Sequence, residues 1–167
     1  MKAAVQPLGQ GAGAETGMWS AMNLLSQRLC AALNDRRFAD FLEFCGRDFR
    51  YRASAFSPEL RRKMVWLEAG RTDLENLYEL LPRQVSSAGS LCRFVNVVDV
   101  RAGDASGTVA VTSSLAAYFT NVDGATSLFA IGHYDDVFAQ MPENPLLIRR
   151  ELRLQTRMLD SGTLEVL

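Results

Sequence analysis

The chain has 167 residues, 48% of them apolar, with a formal charge of -1 and one histidine. That length and apolar share suit a single packed core, while the near-neutral charge argues against a surface built for nucleic acid or an anionic membrane, since both need a concentrated positive field. One imidazole, His133, and three scattered cysteines, Cys30, Cys45 and Cys92, exclude any site needing several histidines, whether zinc, mononuclear iron or a histidine-ligated iron–sulfur cluster.

The cysteines show no C-x-x-C spacing. An odd count without a secretory signal reads as reduced thiols in a cytoplasmic protein, acting as small buried hydrophobes. Residues 1–17, ending in Gln10-Gly11-Ala12-Gly13-Ala14-Glu15-Thr16-Gly17, are expected as a flexible tail, and residues 18–167 as one domain. No run of about 18 apolar residues occurs, so no membrane span is expected.

From Met18 to Leu33, Met22, Leu25, Leu29 and Leu33 recur at three- and four-residue steps and predict an amphipathic helix. Asn34-Asp35 breaks it. Phe38, Phe41, Leu42 and Phe44 predict a short second helix ending near Cys45-Gly46, where glycine would accept a left-handed terminus. The period then becomes two: Phe49, Tyr51, Ala53 and Ala55 alternate with Arg50, Arg52 and Ser54, as in a half-buried strand. Pro58 interrupts it, and Arg62 to Ala69 fits either a second strand or a short helix. Thr72, with Glu75 three residues on, predicts a capping box, and Leu74, Leu77, Tyr78 and Leu81 the buried stripe of a third helix.

From Leu91 the pattern is strand after strand: Leu91 to Val100, Thr108 to Thr120, Thr126 to Phe138 and Leu147 to Leu159, separated by turn-forming stretches. The last sets Ile148, Leu152, Leu154 and Met158 against Arg149, Glu151, Arg153, Gln155 and Arg157, interrupted by Arg150. The fold class expected is α+β, a cone-shaped, curved antiparallel sheet covered by three helices. Strands of about 12 residues make a sheet larger than three helices cover, leaving a face for solvent or another subunit.

A pocket at the wide end of such a cone could give a buried carboxylate a raised pKa and a proton-transfer role. Asp40, Asp48, Asp99 and Asp136 are the candidate acids, with ordinary solvated charge as the competing reading. His133 alternates with Phe129 and Ile131, so it points either at the pocket or into a plain hydrogen bond. Trp66, Tyr51 and Tyr118 suit a pocket lining, an interface or simply core. Sixteen arginines against two lysines suit bidentate pairing with carboxylates at subunit interfaces, or reflect arginine-rich codon usage; Arg50, Arg52, Arg149, Arg150, Arg153 and Arg157 are expected to project. There is no nucleophile elbow, phosphate loop, dinucleotide fingerprint or internal repeat.

Five tracts together resemble the small (beta) subunits of bacterial ring-hydroxylating oxygenases. They are Ser57-Pro58-Glu59-Leu60-Arg61-Arg62-Lys63-Met64-Val65-Trp66-Leu67-Glu68, Leu81-Pro82-Arg83, Ser113-Ser114-Leu115-Ala116-Ala117-Tyr118-Phe119, Leu128-Phe129-Ala130-Ile131-Gly132-His133-Tyr134-Asp135-Asp136 and Leu147-Ile148-Arg149-Arg150. The tract from Ser57 to Arg83 is most similar to the methanesulfonate monooxygenase branch. The resemblance implies an NTF2-like or SnoaL-like cone, with no cofactor or metal and no catalytic residue in this chain. It implies a large (alpha) subunit partner bearing a Rieske [2Fe-2S] cluster and mononuclear Fe(II), in a three-plus-three hexamer. Arg37 to Phe44 departs from the family by lacking the tryptophan-rich pattern of subunits serving aromatic substrates. The competing expectation is a stand-alone isomerase, dehydratase or cyclase on the same cone, using Asp40, Tyr51, Asp99 and His133. A third is a ligand-binding or dimerisation module without chemistry.

Overall fold

The computed structural model describes residues 12–80, 89–140, 144–157 and 167. The element order is α1 (Ala12–Asn34), α2 (Phe38–Glu43), β1 (Cys45–Ser57), β2 (Arg62–Gly70), α3 (Arg71–Leu80), β3 (Gly89–Ala102), β4 (Thr108–Asn121), β5 (Thr126–Ala139) and β6 (Leu146–Leu154). The strands form one sheet in the order β2-β1-β6-β5-β4-β3. Pairing is antiparallel except between β1 and β6, which run parallel because the α3 and β3–β5 excursion separates them. This is the expected α+β cone, with a four-strand meander from β3 to β6.

The predicted first helix is present but begins at Ala12, so residues 12–17 extend the helix instead of forming a tail. Ala12, Ala14 and Glu15 are good helix formers and outweigh the intervening glycines. The rest of the proposed tail lies outside the described residues. Met22, Leu25, Leu29 and Leu33 are all buried, as the spacing required.

Helix α2 stops at Glu43, and Gly46 is an ordinary residue of β1 with no left-handed backbone. Its lack of a side chain serves strand approach instead, since a Cβ there would sit 3.3 Å from Ile148 Cγ2. The undecided stretch from Arg62 is strand β2, paired with β1 through a bulge between Ala53 and Ser54. That bulge buries Ser54, which strict alternation had placed outside. Helix α3 starts one residue before Thr72; Gly70 precedes it, and the Gly70 N–H donates to Asp73 Oδ2 at 2.7 Å, the backbone half of a capping box. Glu75 instead pairs with Arg71 at 2.9 Å. Leu74 and Tyr78 are buried, while Leu81 lies outside the described residues.

The turns follow their chemistry. Gly107 and Gly124 take φ of 72° and 81°, and Asn121 Oδ1 accepts from the Asp123 and Ala125 N–H groups at 3.0 and 2.9 Å. Strand β6 ends at Leu154, so the predicted extension to Leu159 is not strand as far as Arg157, and its last residues fall outside the described set.

Helix α1 packs mainly across β3. The Asn34 carboxamide accepts from the Arg93 N–H at 2.8 Å and donates to the Arg93 carbonyl at 2.9 Å, and Gln27 donates to the Val95 carbonyl at 2.9 Å. The core lies between the helices and one sheet face, from Leu29, Leu33 and Phe41 to Val111, Phe138, Leu147 and Leu152.

Candidate functional site

The four residues proposed for proton transfer do not converge. Asp40 is half-buried on α2 and pairs with Arg37. Asp99 is exposed and pairs with Arg101 at 2.7 Å; the register shift between Val97 and Asp99 ends the alternation that had placed it beside Val95 and Val97. His133 does alternate with Ile131, but on the sheet face away from the helices, where its Nε2 lies 3.3 Å from Gln155 Nε2. Tyr51 alone lies inside. It is buried, and its hydroxyl donates to the Leu167 main-chain oxygen at 2.9 Å. Burial drives its pKa well above the ordinary tyrosine range. Asp48 is exposed.

The interior holds a buried polar cluster of which the sequence had offered only Asp136, as a candidate acid. Asp136 on β5 and Arg150 on β6 are 1% and 3% exposed at their side chains and pair in bidentate fashion, Nε to Oδ1 at 2.8 Å and Nη2 to Oδ2 at 2.7 Å. The guanidinium carbon stands 4.1 Å from the Tyr134 ring centroid and 5.8 Å from that of Phe41. Burial by itself would lower the Arg150 pKa; the charge and hydrogen bonds of Asp136 outweigh it and raise the pKa. Arg150 was expected to project. It turns inward because it is in phase with the buried Leu152 and Leu154 of the same strand; the bulge at Ile148, between Leu147 opposite Phe138 and Arg149 opposite Val137, brings Leu147 onto that face as well. The signal was the residue that broke the apolar face: a charge amid a buried stripe, with Asp136 directly opposite.

Among the described residues, the space around this pair is nearly closed. A cavity of about 10 Å³ remains among Ser26, Cys30, Leu33, Val95, Ser113, Tyr134, Asp136 and Arg150. It is the size of one water, and the Ser26, Ser113 and Tyr134 hydroxyls beside it have no hydrogen-bond partner among the described residues. Burial pushes Tyr134 up to about 12 and raises Tyr78. Both Asp136 oxygens are taken by Arg150, and a substrate needs a cleft of roughly 300 Å³ or more. Among the described residues, the space left around this pair is too small for a substrate.

A larger concavity lies on the surface at the β1–β2 end, about 760 Å³ in volume and lined by Phe56, Leu60, Met64, Val65, Trp66 and neighbouring residues. Glu59 on its rim pairs with Arg157 at 2.6 Å. A main-chain hydrogen bond at Glu59 itself, then Arg157 and Ser57, lower its pKa, so it is no proton-transfer acid near neutrality. Of the arginines expected outside, Arg153 pairs with Asp135 and Arg157 with Glu59, while Arg50, Arg52 and Arg149 are exposed.

The donor set does not fit a Rieske cluster, which needs two histidines, or a two-histidine iron site, because His133 is the sole imidazole of the sequence. Cys30 and Cys45 are buried thiols, and burial raises both, Cys45 to about 12. Among the described residues no three His, Cys, Asp or Glu side chains group to hold a metal ion, and no helix is long and apolar enough to cross a membrane.

No family model matches the chain. It is 31% identical over 144 residues to the methanesulfonate monooxygenase hydroxylase subunit beta of Methylosulfonomonas methylovora, covering 81% of this chain and 80% of that protein. It is 31% identical over 130 residues to the 2-aminobenzenesulfonate 2,3-dioxygenase subunit beta of an Alcaligenes species, covering 78% and 86%. Among solved structures, a protein described as the beta subunit of an aromatic-ring-hydroxylating dioxygenase from Novosphingobium aromaticivorans superposes with a TM-score of 0.75 at 17% identity, over 89% of this chain and 95% of that one. A chain of naphthalene 1,2-dioxygenase superposes at 0.73 and 16%, over 95% and 94%. The structural likenesses show the cone fold, and the sequence relatives place the chain within it. The chain belongs to the family of small (beta) subunits of bacterial ring-hydroxylating oxygenases.

Proposed function

We propose that this chain is the structural small subunit of an oxygenase terminal component, assembling with a large (alpha) subunit and contributing no catalytic residue. The observation that carries the reading is the tight packing around the buried ion pair among the described residues. Where an enzyme on this fold would need a substrate cleft, this chain places the Asp136–Arg150 pair under Tyr134 and leaves about 10 Å³. The reacting chemistry then belongs to the partner, whose Rieske [2Fe-2S] cluster and mononuclear Fe(II) this donor set cannot supply. Small-subunit trimers within a three-plus-three hexamer are the assembly proposed, in the cytoplasm.

Co-expression with the adjacent large-subunit gene, followed by native mass measurement, tests this. A hexamer with iron only when both chains are present is expected. A chain that stays monomeric beside that partner, or that binds stoichiometric iron alone, overturns it. The two relatives are named for methanesulfonate and 2-aminobenzenesulfonate, so a sulfonate is the first substrate class to supply to the reconstituted pair.

A further inference from the structure

The sheet has two outer strands, and the chain treats them differently. On β3, Asn34 and Gln27 of α1 satisfy outward main-chain groups of Arg93 and Val95. On β2, among the described residues, only Gly70 at the very end finds such a cover, from Asp73. Met64, Val65 and Trp66 of β2 are exposed, Trp66 by 50%. A long exposed apolar edge is a template for association unless a partner covers it.

Beside this edge lies the surface groove of Phe56, Leu60, Met64, Val65 and Trp66. The turn above it carries Arg61, held at a φ of 49°, a left-handed backbone that a long side chain adopts only at a cost. Arg61 and Arg62 are exposed and have no ion-pair partner among the described residues, whereas nearby Lys63 and Arg157 are paired with Glu151 and Glu59. The surface therefore combines an apolar floor, a half-exposed tryptophan and two uncompensated cations, a composition typical of an interface anchor. Its complement is a segment bearing apolar side chains and carboxylates. A second copy docking two-fold through the same hairpin would set these arginines against each other, which disfavours that form of self-pairing.

We propose that the β1–β2 hairpin is the docking surface for an acidic, apolar segment of the large subunit, with Trp66 as its central anchor and Arg61 and Arg62 as its charged rim. This rests on the subunit reading above. The test measures affinity between the full chain and the large subunit, as a function of salt, for wild type, Trp66→Ala and the Arg61→Glu/Arg62→Glu pair. Trp66→Ala weakens binding about 30-fold or more, the size of an anchor truncation. The charge reversals slow association and flatten its salt dependence. Both variants should melt like wild type, since these side chains are exposed. If wild type itself does not bind the large subunit, the subunit reading fails and the docking surface with it. If wild type binds and both variants bind equally well, the docking inference alone is overturned. Loss of self-association by Trp66→Ala, with large-subunit affinity intact, assigns the groove to a second copy and also overturns it.

Discussion

Replacing Asp136 with asparagine tests whether the buried ion pair holds the cone closed. The substitution is nearly isosteric, so it removes the charge with little change in volume. It leaves the Arg150 guanidinium, 3% exposed, without its counter-charge. Breaking a buried pair from one side costs about 3–5 kcal/mol, because the remaining charge is uncompensated in a medium that solvates it poorly. Against a total stability of about 5–15 kcal/mol for a native domain, that is a large fraction. In a domain of this size it lowers Tm by about 6–20 °C. The companion variant, Asp136→Leu with Arg150→Met, removes both charges and keeps an apolar filling, and it should recover most of the loss. Urea unfolding of wild type, Asp136→Leu, Arg150→Met and the double variant gives the coupling energy directly. An Asp136→Asn protein within about 1 kcal/mol of wild type would refute the reasoning, since the guanidinium would then have found water or another acceptor beside a cavity of only about 10 Å³.

Other outcomes follow from the same structure. Gly132→Ala should destabilise by about 1–3 kcal/mol, because its Cβ would sit 2.5 Å from the Arg153 carbonyl oxygen, a main-chain atom of β6 that cannot swing away; thermal melting checks this. Stability should fall in alkali. Burial holds Cys45 and Tyr134 protonated to about 12 in the fold, against ordinary values of 9.0 and 10.0, so the unfolded chain loses its protons first. Their stabilisation is complete below about pH 9 and drains away as pH rises toward 12, at about 1.4 kcal/mol per pH unit for each group titrating only in the unfolded state; urea midpoints from pH 7 to 11 measure it, and a flat profile would contradict the burial. Brief iodoacetamide treatment of the native protein at pH 8 should label Cys92 before Cys30 and Cys45, which are buried with raised pKa values; peptide mass mapping reads the order.

Much of this protein was legible from local pattern. The three- and four-residue spacing of Met22, Leu25, Leu29 and Leu33 fixed a helix face, and the alternation from Phe49 to Ala55 fixed a strand. Gly107, Asn121 and Gly124 sit in the turns their chemistry demands. These features depend on neighbours a few residues apart. The shortage of imidazole was likewise visible at once, and no folding could remedy it.

The tertiary structure decided what depended on pairing between distant segments. Arg62 to Gly70 became a strand because β1 offered it a ladder, not because its own residues preferred one. Leu147 joined Arg150 on the inner face because a bulge at Ile148 reset the pleat, and Arg150 became tolerable there because strand register set Asp136 opposite it. His133 and Tyr134 are adjacent in sequence, yet one faces outward and the other the core; periodicity tells that they differ but not which side the helices cover. A sequence carries the period of each element, whereas the phase of that period relative to the rest of the molecule is a property of the assembled sheet.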